Sequence, residues 1–198
     1  DADSMPDAAR AISVAQNKGW LDPTGDTAVA LAAIAGHLLG GGSITKRNYV
    51  PSVCEGRRVS ISDINRAFHQ IGVQSDTRHE EPDNRATEVV PAEHASILGR
   101  TLVAWGVPAG ESRPMGLPKL LKHVDMTARE EFVRAYILHR GTNLPQKATS
   151  SCQAGYPKCF QTAFAEEVRE VSAEEATAGE NAVTVSAAAM RKLGIAEG

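Results

Sequence analysis

Ala28-Val-Ala-Leu-Ala-Ala-Ile-Ala-Gly-His-Leu-Leu-Gly-Gly-Gly-Ser43 is a helix sequence with almost no polar side. Asp26 or Thr27 stands where a helix N-cap is needed. From there the apolar residues run to Leu39 without the polar stripe of a surface helix, so the helix is expected to be buried on all sides. Ala32, Ala33, Ala35 and Gly36 carry little or no side chain, which lets the backbone of a second helix come close. Past Leu39, the glycines Gly40, Gly41 and Gly42 interrupt the pattern.

Upstream, Pro6 to Asn17 has helical composition, closed by Gly19 and the turn Asp22-Pro-Thr-Gly25. Downstream, Ile44 to Tyr49 and Val50 to Val59 are rich in β-branched residues and are broken by Pro51 and Glu55-Gly56, which predicts a hairpin. Helices are expected at Ser62 to Phe68, His94 to Ala104 and Ala187 to Lys192. They lead into Ile71-Gly-Val73, Trp105-Gly-Val107 and Leu193-Gly-Ile195, where a left-handed glycine ends the helix and an apolar residue folds back onto it. Thr127-Ala-Arg-Glu130 has the form of a capping box opening another helix through Phe132 to His139. The stretch from Gly106 to Lys119, with three prolines and three glycines, divides the chain. The order is helix, hairpin, helix, extended segment, helix, loop, helix, extended segment, helix, which is α+β. We therefore divide the chain into an N-terminal helix and linker (1–25), a first half (26–107), a linker (108–126) and a divergent second half (127–198).

With 198 residues, 42% of them hydrophobic, the chain has enough apolar material for a core. Cys54, Cys152 and Cys159 are too few and too unevenly spaced for a disulfide framework, and no second CxxC or His pair completes a zinc site. No run of eighteen apolar residues occurs, and the opening residues lack a basic-then-apolar leader, so an intracellular protein with no membrane association is expected, cytoplasmic or nucleoid-associated. The net charge of −3 is unevenly spread. Residues 165–198 hold seven acids against three bases, leaving the remainder at +1, and Ile44 to Arg58 concentrates Lys46, Arg47, Arg57 and Arg58 against the single acid Glu55. Such a concentration suits either a solvated strand face or a phosphate-binding surface.

Ile34-Ala-Gly-His-Leu-Leu-Gly-Gly-Gly-Ser43 resembles the first motif of the LAGLIDADG homing endonucleases, of the kind often nested in inteins. Phe132-Val-Arg-Ala-Tyr-Ile-Leu-His-Arg-Gly-Thr142 resembles the second. Between them, Gly106-Val-Pro-Ala-Gly110 and Leu117-Pro118 are similar to the family's linker, so the likeness covers roughly residues 28 to 143. It implies two pseudo-symmetric α/β halves joined along paired central helices, with antiparallel sheets forming a saddle over double-stranded DNA. Strands of that kind enter the major groove while Lys and Arg hold phosphates.

The resemblance also implies an acid at the foot of each motif helix, where two metal ions clamp the phosphodiester. At the aligned positions this chain has Gly41 and Arg140, neither of which is a metal ligand. Glu130 and Glu131 lie at the wrong end of their helix, and Asn143 is a poor substitute. His37 and His139, also on the motif helices, are expected to be core or capping residues. The expected function is thus double-stranded DNA binding without cleavage, through Lys46, Arg47, Arg57, Arg58, Lys119 and Lys122, by a monomer, with a dimer as the alternative. No metal site or cofactor is expected. The alternatives are an active site-specific endonuclease using Mg2+, such as an intein insert, or a folded remnant with no ligand.

Overall fold

The computed structural model describes residues 8–56, 58–78, 87–110, 112–144, 147–150, 156–179 and 182–195. The first helix, α1 (Ala8–Asn17), is followed by α2 (Gly25–Gly41), β1 (Gly42–Ile44), β2 (Pro51–Cys54), α3 (Ile61–Gln70), β3 (Ser75–Arg78), β4 (Glu88–Pro91) and α4 (Ala95–Ala104). After the linker and a short 3-10 helix (Lys119–Lys122) come α5 (Met126–Arg140), β5 (Gly141–Leu144), β6 (Lys147–Ser150), α6 (Lys158–Ser172), β7 (Ala176–Ala178), β8 (Val183–Val185) and α7 (Ala187–Lys192). The order helix, two strands, helix, two strands, helix thus occurs twice. Both sheets are antiparallel and have the same strand order, β1-β2-β4-β3 and β5-β6-β8-β7. Among the described residues no helix is long and apolar enough to cross a membrane.

Three expected glycine stops form as read. Gly72, Gly106 and Gly194 have φ of +72°, +99° and +65°. The next residue in each case bonds back five positions, Val73 N–H to Phe68 O, Val107 to Leu102 and Ile195 to Met190, at 2.9–3.0 Å. Other local expectations need correction. The hairpin strands are shorter than read, because residues 45–50 form a turn in which the Thr45 hydroxyl accepts from Val50 N–H at 2.9 Å and Tyr49 is left-handed. Thr127 does not cap α5; the Asp125 carboxylate accepts from Ala128 N–H at 3.0 Å, so the cap lies two residues earlier than read. The helix α6 was not expected at all. Phe160, Phe164, Val168 and Val171 recur every three or four residues and are all buried, whereas the acidic count of this region drew attention to its other face.

The largest contact between elements is that of α2 with α5. Nearly the whole of α2 from Ala28 to Gly40 is buried, and so are Phe132, Val133, Ala135, Tyr136 and Ile137 of α5. Gly36 decides how close the two come, since a Cβ there would overlap the Phe132 carbonyl oxygen and lie 3.0 Å from Ala135 Cβ. One turn on, a Cβ at Gly40 would stand 2.7 Å from His139 Cβ. Contacts that advance together along both helices mean that the two run parallel, with their C-terminal ends side by side.

On the far side of α5, Tyr136 packs on Phe164 and Phe160, with ring centroids at 4.5 and 5.8 Å. The start of α5 is tied to α6 by Arg129, which donates to both oxygens of the nearly buried Glu167 at 2.7 and 2.9 Å and to Glu170 at 2.7 Å. This forked geometry is the strong form of the pair. The α1 segment is fastened by Trp20, whose indole N–H donates to Ile71 O at 3.1 Å, and by Trp105, whose indole donates to Trp20 O at 2.9 Å.

A methyl group at Gly36 forces the parallel helices apart. Gly36→Ala is expected to lower unfolding free energy by about 1–3 kcal/mol, read from urea unfolding midpoints. Gly116→Ala, where nothing lies within 4 Å of an added Cβ, is expected to stay within about 0.5 kcal/mol of the parent.

Candidate functional site at the paired helix ends

Helix α2 ends on Gly41 and α5 on Arg140, and each runs directly into the first strand of a sheet. Neither terminal residue is a carboxylate. What fills the space between them is the His139 imidazole. An added Cβ at Gly41 would lie 2.5 Å from His139 Nδ1, and one at Gly56, just past β2, would lie 2.8 Å from the same atom. With Gly40 against His139 Cβ, three glycines make a cradle for one ring. The His37 ring, one turn up α2, meets His139 edge to face with centroids 5.0 Å apart.

Both imidazoles are held neutral. Burial pushes the His37 pKa down to about 3, helped by the neighbouring His139 and Arg134 and opposed by Asp63. Burial likewise pushes His139 down to about 4, with Arg140 adding to the effect. His37 Nδ1 and His139 Nε2 are buried without a hydrogen-bond partner among the described residues. The sequence placed these histidines in the core or at a cap, and the core reading describes His37. That the two rings touch depends on the register of α2 on α5, which a single sequence does not display.

The expected DNA-binding residues fall into three places. Lys46 and Arg47 are exposed in the turn between β1 and β2. That turn is braced from two sides: Gly110 N–H donates to Ile44 O at 2.7 Å, and the Tyr49 carbonyl fits against Gly99 of α4 where any side chain would collide. The Arg100 guanidinium covers the Tyr49 ring at 4.3 Å. Arg58 is elsewhere, lining a cavity between α2, α3 and α5, and Arg57 lies outside the described residues. Lys119 is exposed on the 3-10 helix, and Lys122 lines a cleft with Arg129 and Glu170. Arg129 and Arg140 stand eleven residues apart on α5, about 16 Å at the rise of a helix. The cleft holding Lys122 is therefore at the other end of α5 from Arg140, and the structure does not bring Lys122 to the helix ends.

Strand alternation and register sort the sheet faces. Ile44, Val53 and Val89 are buried on one face of the first sheet, so Ser43, Ser52, Cys54, Asp76, Arg78 and Glu88 share the other. Ser43, Asp76 and Arg78 are exposed there. In the second sheet the register aligns Thr142, Thr149, Thr184 and Thr177 in one row, one residue per strand. Thr184 alternates with Val183 and Val185, both fully buried, so Thr184 and its partner Thr177 fall on the face away from the core. Sequence reading singled out none of these residues, because hydroxyl side chains in short strands carry no signal until the strands are paired.

No protein-family model matches the chain, and no curated protein matches it by sequence. Solved structures do match. The N-terminal LAGLIDADG domain of DUF199/WhiA aligns with a TM-score of 0.57 at 10% identity, over 92% of this chain and 91% of that one. Variants of the homing endonuclease I-DmoI align with a TM-score of 0.57 at 8% identity, over 87% and 99%. Full-length DUF199/WhiA from Thermatoga maritima gives 0.58 at 8% identity, over 91% of this chain but 60% of that one. I-DmoI has been solved with DNA together with Ca, Mg or Mn. The fold of this chain is accordingly that of the LAGLIDADG homing endonucleases and of the WhiA LAGLIDADG domain.

The buried histidines make stability depend on acid. Each has a folded pKa below its ordinary 6.5, so below that pH the unfolded chain takes up protons that the folded chain refuses. Stability is full above 6.5 and falls as the pH drops toward the folded values, by on the order of 1–2 kcal/mol per histidine at about pH 5. Unfolding free energies measured across this window are expected to show that slope, and His37→Leu combined with His139→Leu is expected to flatten it.

Proposed function

We propose that this protein is a double-stranded DNA-binding module of the homing-endonuclease type that does not cleave. The two halves, residues 26–107 and 127–198, act as a pseudo-symmetric saddle joined along α2 and α5, with the outer faces of the two sheets toward DNA. The observation that carries the reading is the pair of helix ends. In the nuclease arrangement each would present an acid, and here Gly41 and Arg140 stand at those positions.

The donor set argues in the same direction. A hard divalent cation needs several oxygen ligands, whereas Gly40, Gly41, His139 and Arg140 supply a guanidinium and an imidazole. Among the described residues no three His, Cys, Asp or Glu side chains come together in a metal-binding group. An acid returned at position 41 would meet the His139 ring, so the site is rebuilt around that ring and is more than a deletion of two carboxylates. Arg140 at a helix C-terminus is also favourable without any ion, because it faces the negative end of the helix dipole.

For binding, the braced turn offers Lys46 and Arg47 at fixed positions for phosphates, with Lys119 and Arg57 as further contributors. Thr177 and Thr184 on the second sheet supply groups that both donate and accept, which suits base edges in a major groove. The acids Asp76 and Glu88 on the first sheet limit affinity for arbitrary DNA and leave discrimination to the hydroxyl-bearing positions.

A fluorescence-anisotropy titration with a random duplex pool, followed by selection for enriched sequences, tests this. With about four phosphate contacts, the logarithm of the binding constant is expected to fall with the logarithm of salt at a slope no steeper than about −4, and Lys46→Ala is expected to flatten it by about one. Incubation with Mg2+ or Mn2+ is expected to leave the DNA intact. Cleavage would restore the active-nuclease reading, and absence of binding at low salt would leave a folded remnant.

A further inference from the structure

Between α2, α3 and α5 lies a cavity of about 320 Å³ that the DNA-binding reading does not use. One part of its wall is apolar, from Ala33, Val59 and Leu138. The rest is charged: Arg58, Arg66 and Arg134 face Asp63 and Glu131, and His37 closes the wall. Two of the three guanidinium groups are engaged, Arg66 with Asp63 at 3.3 Å and Arg134 with Glu131 at 3.1 Å. Arg58 is not. Among the described residues its NH1 is buried with no hydrogen-bond partner, and His37, only 5% exposed, has its Nδ1 in the same condition.

We propose that this cavity binds a small organic anion, a carboxylate or a phosphate monoester, with Arg58 as its charged anchor and His37 as a second hydrogen-bond donor. Buried polar atoms are nearly always partnered, and two residues that line this cavity, Arg58 and His37, each carry one that lacks a partner among the described residues. The sign of the charge selects an anion. Three guanidinium groups outnumber two carboxylates. The apolar wall selects an organic body over a bare ion, and the volume lies at the lower end of small-molecule sites. His37 is neutral at ordinary pH, so it donates from Nδ1 in the tautomer that the anion would fix.

The test uses the full chain without DNA at about pH 7.5, with inorganic phosphate, phenyl phosphate, benzoate and uncharged benzamide as probes. Binding is followed by calorimetry and by the His37 ring resonance. Expected are saturable one-site binding of phenyl phosphate or benzoate, at least about tenfold weaker binding of inorganic phosphate, none of benzamide, and a shift of the His37 signal. Arg58→Gln is expected to weaken the organic anions about tenfold or more, while Arg10→Gln on the exposed face of α1 leaves them unchanged. His37→Gln and the cavity-filling Ala33→Leu give the same readout if Arg58→Gln does not fold. Binding of inorganic phosphate alone, equal in Arg58→Gln, would mean an adventitious ion only and overturn the proposal. So would the absence of saturation with every probe at roughly 10 mM, which would leave a cavity filled by water. Which class saturates at lower concentration separates a carboxylate from a phosphate ligand.

Discussion

Two helices can touch backbone to backbone only where side chains vanish, and Gly36 is where that happens. The Phe132 carbonyl occupies the place a Cβ would take, and Ala135 fills the margin. Everything farther along the pair follows from this approach. It sets α2 and α5 parallel and brings their C-termini level, so β1 and β5 leave from the same end. The two sheets therefore begin beside one another, although about a hundred residues of chain separate them.

Parallel helices carry an electrostatic cost, because the negative ends of both dipoles meet. At these ends Arg140 supplies positive charge on one side, and the neutral His139 ring fills the gap between them. The arrangement has its own demand, since a ring in that position excludes side chains at Gly40, Gly41 and Gly56. Those three glycines and one histidine form a unit, and a change in any of them bears on the others.

Much of this was legible in the sequence where the signal is local. The buried character of α2 and the left-handed stops at Gly72, Gly106 and Gly194 are written in residue types and short spacings. The α6 helix was equally local, its Phe160, Phe164 and Val168 spacing being helical, but it shares its residues with a run of acids that serve a different purpose. Glu167 and Glu170 hold Arg129 and are not a solvated tail. The candidate site was legible only in part. Gly41 and Arg140 are singled out by a resemblance alone, whereas the contact of His37 with His139, the turning of Arg58 into a cavity and the register of the second sheet all arise from pairings between distant segments. Such pairings leave no periodic trace in a single chain.

Both tryptophans of the chain, Trp20 and Trp105, belong to the assembly of α1, α3 and α4, and the series from α5 to α7 has none. Trp20 is fully buried, and its indole is bonded to a backbone carbonyl of the same unit. Intrinsic tryptophan emission therefore watches one half of the molecule, while far-ultraviolet dichroism averages over both. The optical properties of this chain separate two questions that most proteins blend: whether the second half can melt while the first persists, and whether the shared helix pair makes them a single cooperative unit. Coincident curves from the two signals mean that the α2–α5 seam binds the halves into one transition.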